Sequence, residues 1–434
     1  MMPVLRGPPL EIGSGAAERS NGPHGEAMET RSMSRVLRPT ALFSSCIGVV
    51  LLAGCTSSSP APLDMVATTD DEDRGSVGVE SAAAGPGSPD PAPGAGCDEL
   101  SVELQSALDA AVDVQRLPGA AAAVHLGGCS WLGAAGVADT EADVAIQPGD
   151  LFRAGSITKT FVSTLALMLR AEGRLSLDDA VSAYVGGVPR GEQISVRQIL
   201  NHTSGVFDYT ALDEFWTAAF DDPTRAWTPA ELIALAASKP PYFEPGRGFA
   251  YSNTNYIIAG LIVEAASGEP IGELLRARVL EPAGLAHTYL DGAEEALPGL
   301  VHGYGRSRGE LVEMTSAIDA SAAGAAGALV STTGDLTRFY RKVLDGTLLG
   351  PAELEEMTAW VDAPLGEVTG YGLGLSRRES PLGVQVGHDG GIWGFTSSSY
   401  YAVDKDASIT VLVNLDGGDV GRIVDDLSNV LITP

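Results

Sequence analysis

Lysine is nearly missing from this chain: four of 434 residues, within a total of 27 basic against 56 acidic side chains and a formal net charge of −29. Such a surface repels phosphate backbones and anionic lipid headgroups, which argues against nucleic acid as a partner and leaves membrane contact to a separate anchor. Cysteine is scarce too, with one each at positions 46, 55, 97 and 129. Neither these nor His125, His287 and His302 show the close spacing that holds zinc. No metal and no other cofactor is implied. The uncharged apolar run Ala41–Ala53 is too short to span a bilayer as a stable helix.

That run has a different reading. Arg31, Arg35 and Arg38 precede it, giving the charged and apolar regions of a signal peptide. It ends Leu52-Ala53-Gly54-Cys55, which resembles a bacterial lipobox, where the cysteine is diacylated and becomes the mature N-terminus. Residues 1–32 are then a mis-assigned upstream start, with Met28 or Met33 as the true one, and 33–54 the lipoprotein signal peptide. Residues 55–96, rich in Ser, Pro, Ala, Gly and Asp, cannot bury enough apolar area to fold and read as a flexible acidic linker. As a coil it would hold the folded region, 97–434, roughly 35 Å from the membrane. The expected location is lipid-anchored, facing the periplasm or the cell exterior. Cys97 and Cys129 then form the internal pair in an oxidising compartment. A bridge between them would close a loop of about 33 residues and contribute about 3–4 kcal/mol; the alternative is two independent thiols.

Periodicity organises the rest. Leu104, Ala107, Leu108, Ala111 and Val112 make one apolar stripe on a helix over Asp98–Arg116. Strand-like runs Ala120–Leu126 and Ser130–Val137 follow, separated by Gly127-Gly128. The far end mirrors them: Val384–Gly387, Phe395–Val403 and Ala407–Leu415, broken by Gly390-Gly391 and Asp404-Lys405-Asp406, then a helix over about Val420–Leu431. Residues 156–345 read as mostly helical. The expected class is α/β (α+β), with a central antiparallel sheet built from both chain ends, flanked by helices, and a mostly helical region inserted.

Ser156-Ile157-Thr158-Lys159 lies at a strand-to-helix switch, with Phe161, Leu165 and Leu169 as the buried face of the helix that follows. Ser156 would sit in its first turn, where free N–H groups favour negative charge, and Lys159 at i+3 would share its face. A buried lysine can lose its charge and act as a base towards serine. Two further clusters accompany the pair: Tyr251-Ser252-Asn253 and His388-Asp389-Gly390, the latter followed by Gly391. Ser-x-x-Lys, Tyr-x-Asn and His-x-Gly in this order resemble the penicillin-recognising serine hydrolases. They are most similar to the branch of class C β-lactamases, D-Ala-D-Ala carboxypeptidases and related esterases. Leu151-Phe152-Arg153-Ala154-Gly155, Leu200-Asn201-His202-Thr203-Ser204-Gly205, Ala326–Thr332 and Tyr371-Gly372-Leu373-Gly374 extend the resemblance over about 98–430.

The resemblance implies a β-lactamase/transpeptidase-like fold and an acyl-enzyme on Ser156. Lys159 and Tyr251 would activate the serine, Asn253 would bind the substrate amide and Lys159, and the N–H groups of Ser156 and Gly391 would form the oxyanion hole. Gly390 belongs to the same motif, and Trp393 just beyond it is a candidate for the cleft wall. His202 reads as structural, at a helix end. His388 stands where β-lactamases have Lys, so Lys159 is expected to carry more of the base role. Asp389 replaces the hydroxyl residue that helps carboxypeptidases hold a terminal carboxylate, and Ser376 takes the place of an arginine in that pocket, with Arg377 and Arg378 close behind. The expected activity is most like a D-Ala-D-Ala carboxypeptidase acting on a small-molecule or peptidoglycan-peptide acyl substrate. An esterase or amidase is the alternative, then a β-lactamase, then a catalytically silent binding protein.

Overall fold

The computed structural model describes residues 98–432; the expectations for residues 1–32, 33–54 and 55–96, for Cys55 and for Cys97 lie outside them. Nine strands form one antiparallel sheet: β1 (Gly119–Leu126), β2 (Cys129–Asp139), β3 (Val144–Ala145), β4 (Val361–Leu365), β5 (Val368–Tyr371), β6 (Ser376–Ser380), β7 (Gly383–Ile392), β8 (Phe395–Ala402) and β9 (Ala407–Val413). Their spatial order is β3-β2-β1-β9-β8-β7-β6-β5-β4. The first strand thus pairs with the last, Ala120 opposite Val413, and the chain ends meet mid-sheet as the strand pattern predicts.

Helices α1 (Asp98–Gln115) and α5 (Val420–Ile432) cover one face of the sheet, where Leu104, Leu108, Ile423 and Leu427 are fully buried with Ala120, Ala122 and Val124 of β1. Burial of each such leucine or isoleucine contributes about 1.5–3 kcal/mol. The other face carries the inserted region, including α2 (Thr158–Ala171), α3 (Asn253–Ser267) and α4 (Thr333–Leu344). In α2 the spacing of Phe161, Leu165 and Leu169 marks a buried face, and Phe161 stacks on Phe339 of α4 with ring centroids 3.5 Å apart. The burial goes further than that face. Every residue from Thr158 to Leu167 is buried, the condition of a helix enclosed on all sides. Its polar side chains are satisfied inside: Thr160 donates to the Gly374 carbonyl (2.6 Å), Thr164 to the Thr160 carbonyl (2.8 Å), and Ser163 pairs with the Tyr256 hydroxyl (3.0 Å). Lys159 is therefore carried into the interior by its own helix. Among the described residues no helix is long and apolar enough to cross a membrane.

Two details differ from the sequence reading. Gly390-Gly391 does not end a strand: β7 runs through both to Ile392, and the hairpin turn is Trp393-Gly394, with Gly394 at φ 85°. Gly390 is there for close approach, since a Cβ on it would lie 2.1 Å from the Ala154 carbonyl oxygen. The sheet also continues into β4, β5 and β6, which the sequence reading left without strands.

Candidate active site

The short strand Phe152–Arg153 pairs with Leu329–Ser331 and delivers the chain to a tight 3-10 turn, Gly155–Ile157, that leads into α2. Gly155 has φ +54°, and a Cβ there would sit 2.8 Å from the Gly391 nitrogen. Only glycine allows both the turn and this contact with β7. Thr158 pins the turn, its hydroxyl donating to the Gly155 carbonyl (2.7 Å) and accepting from the Leu329 N–H (3.0 Å). Ser156 is left half-buried at the rim, beside the strand that carries Gly391.

Lys159 Nζ lies 2.9 Å from Ser156 Oγ, 2.8 Å from Asn253 Oδ1 and 2.7 Å from the Ala326 carbonyl oxygen. The last two are acceptors only, so they take two N–H bonds. In the neutral amine the lone pair is then left for the serine hydroxyl, which is the geometry of a general base. Burial pushes this amine from 10.5 down to about 7, with Asp208 opposing the shift. Tyr251 hydrogen-bonds Ser156, yet burial holds its phenol well above the ordinary range. Its ring lies 4.9 Å from Nζ. This arrangement suits a lysine base with the tyrosine as a hydrogen-bonding relay.

His388 shares this wall, its ring 6.2 Å from that of Tyr251, but both its nitrogens are engaged elsewhere. Nδ1 contacts the Asp389 carbonyl, which can only accept, so Nδ1 carries the proton. Nε2 then accepts from the Tyr371 hydroxyl at 2.9 Å. Burial, and then the nearby Lys159, lower its pKa to about 4, so the ring is neutral. It adds no cation to the site. Asp389 accepts from the Tyr400 hydroxyl (2.9 Å), stands 4.0 Å from Arg378, and leaves its side chain 47 % exposed. Gly391 faces open space, with nothing within 4 Å of where a Cβ would lie. Trp393 is not an open wall: it is buried in the core, with the Arg153 guanidinium 5.8 Å from its ring.

His202 is fully buried at the end of the short helix Val196–Leu200, in the left-handed region at φ 61°. Its Nδ1 accepts from the Ser252 N–H (3.2 Å), and its ring lies 4.3 Å from that of Tyr251, so it backs the second motif. Cys129 is disulfide-bonded. Among the described residues no group of three or more His, Cys, Asp or Glu is placed to hold a metal. Sequence reasoning missed Asp208, the carbonyl of Ala326 and the partner of His388, Tyr371. Asp208 did leave a trace: it is a lone acid between Val206-Phe207 and Tyr209.

A half-buried serine, a buried lysine and a tyrosine beside the interior strand β7 of an antiparallel sheet are the residue set of a serine hydrolase. The Beta-lactamase family model matches residues 104–432, and the chain belongs to that family. A D-stereospecific amidohydrolase from Streptomyces is 36% identical with a TM-score of 0.66, covering 75% of this chain and 97% of that one. Penicillin-binding protein 4 of Amycolatopsis lactamdurans is 27% identical over 76% of this chain and 88% of its own length. A D-aminopeptidase of Brucella anthropi is 29% identical over 64% of this chain, a match that spans about half (52%) of that relative.

Proposed function

We propose that this serine hydrolase takes amide or ester substrates that carry no free carboxylate beside the third motif, an amidase or aminopeptidase kind of activity rather than a carboxypeptidase. Asp389 carries this reading. Its half-exposed carboxylate stands where a carboxypeptidase offers a hydroxyl to a terminal carboxylate. Two like charges about 4 Å apart repel by about 1 kcal/mol in water and about 4 kcal/mol near a protein surface. A substrate ammonium gains what a carboxylate loses. Arg378 does not restore an anion pocket, because it is buried, stacked over the Tyr400 ring at 3.6 Å and bonded to Gln385 Oε1 at 3.1 Å. The likeness to a D-stereospecific amidohydrolase and a D-aminopeptidase supports the same direction.

The test compares ammonia release from D-phenylalanine amide, turnover of p-nitrophenyl acetate and D-Ala release from a peptide ending in D-Ala-D-Ala, on wild type and Ser156→Ala. Amide and ester turnover should depend on Ser156 and exceed D-Ala release. Asp389→Ser should narrow that ratio about tenfold, the effect of roughly 1.4 kcal/mol. Faster D-Ala release by the wild type would overturn the proposal and favour the carboxypeptidase reading, which the penicillin-binding relative supports.

The proposal includes export and lipid anchoring at Cys55, supported by Arg31, Arg35, Arg38 and the apolar run Ala41–Ala53. A bridged Cys129 fits an oxidising compartment. Cys55→Ala should move the protein from the membrane to the soluble fraction, and retention on the membrane would refute the anchor.

A further inference from the structure

Asp208 belongs to none of the three motifs, and its carboxylate reaches the reaction centre through Asn253. It is buried, and it accepts four hydrogen bonds: Oδ1 from the backbone N–H of Asn253 (3.1 Å) and of Thr210 (3.2 Å), Oδ2 from the Thr210 hydroxyl (2.7 Å) and the Asn253 side-chain amide (3.3 Å). It donates none in this set, the pattern of an ionised carboxylate; burial raises its pKa, and the Thr210 hydrogen bonds, Lys159 and the Asn253 N–H oppose that shift. The first of these bonds also caps α3, whose own Ser252 makes no side-chain cap bond.

The consequence falls on Asn253. An asparagine amide has nearly the same shape in its two flipped states, so its hydrogen-bond partners decide which end faces which neighbour. Here both Nδ2 hydrogens are claimed, one by Asp208 Oδ2 and the other by Thr210 Oγ1 at 3.1 Å. Oδ1 is thereby turned to Lys159 Nζ, 2.8 Å away. Were the amide reversed, its NH2 would confront the amine and contest the lone pair that Ser156 needs. The titratable groups facing Nζ are Tyr251, Tyr256, His202, His388 and Asp208. Asp208 is the carboxylate among them.

We infer that Asp208 is a positioning residue: it locks the Asn253 amide oxygen onto Lys159 and supplies the buried negative charge that keeps this amine basic enough to take the serine proton. The inference rests on the reading of Lys159 as base in a serine hydrolase and adds what makes that base usable in so dry a site.

With four lysines in the full chain, [ε-13C]-lysine NMR resolves each titration, and Lys159→Met assigns the signal of Lys159. Asp208→Asn should lower its midpoint by about one pH unit, a tenfold loss of proton affinity. The acid limb of kcat/KM for p-nitrophenyl acetate should move to lower pH by the same amount, with a lower plateau. Thr210→Val frees one amide hydrogen but keeps the charge, so it should lower kcat several-fold and leave the midpoint in place. An unmoved midpoint in folded Asp208→Asn, or an equal shift in Thr210→Val, would overturn the inference. Should Asp208→Asn not fold, Asp208→Glu decides instead: a retained midpoint with reduced kcat supports it, and unchanged kcat sinks it. The NMR midpoint does not depend on turnover, so a shifted midpoint without Ser156-dependent hydrolysis would refute the hydrolase reading alone.

Discussion

Replacing Lys159 by Met should make the protein's stability less dependent on pH, and the size of the effect follows from where the amine sits. In the folded protein Nζ is fully buried and its pKa falls from 10.5 to about 7. Between those values the unfolded chain binds a proton that the folded chain does not, so this group's contribution to stability rises with pH across that window. Below about 7 both states are protonated and the whole cost of burying an ammonium is present, on the order of 5 kcal/mol for a shift from 10.5 to about 7. Integrated from about pH 6 to about pH 9, wild type should gain roughly 2.5 kcal/mol that Lys159→Met does not. The variant also leaves Asn253 Oδ1 and the Ala326 carbonyl without Nζ, which costs about 1–3 kcal/mol each, but that loss is the same at every pH and cancels in the comparison. Urea unfolding of both proteins at the two pH values measures the difference directly. Parallel pH dependences, within about 0.5 kcal/mol, would mean that Lys159 stays charged near neutrality, and its assignment as base would fall.

Four further outcomes are expected. Gly390→Ala should cost activity by about a hundredfold or more, because its Cβ would meet the Ala154 carbonyl at 2.1 Å and push β7 from the serine turn; Gly391→Ala, whose Cβ enters open space, should keep the melting temperature and lose activity mainly through KM. Tyr251→Phe should retain more acylation rate than Lys159→Ala, measured by single-turnover release of p-nitrophenol, since the buried phenol resists ionisation while the amine does not. Equal losses would return the base role to Tyr251. Cys129→Ser should lower unfolding free energy by about 2–4 kcal/mol, read as a drop in urea midpoint that reducing agent reproduces in wild type.

What the sequence makes legible here is what is local. Ser156 and Lys159 are three residues apart on one helix, so their proximity needs only helical geometry, and alternating apolar runs place both chain ends in one sheet. The polarity of the chemistry was harder to read. Phe161, Leu165 and Leu169 announce one buried face of α2, whereas the face that carries Lys159 is closed by α3 and by the Ala326 carbonyl, far along the chain. Asp208 meets Asn253 across 45 residues, and no spacing rule connects them. β6 escaped because Ser376-Arg377-Arg378-Glu379-Ser380 has no apolar alternation; Arg378 hides its charge over an aromatic ring instead. The difference between a tyrosine base and a lysine base in such a site is therefore one of enclosure. With His388 neutral and no second cation supplied by the third motif, burial outweighs the Ser156 hydrogen bond and keeps the Tyr251 phenol well above its ordinary range. The same burial that disfavours the phenolate lowers the affinity of the amine for its proton, so a single property of the fold favours Lys159 over Tyr251 as the proposed base.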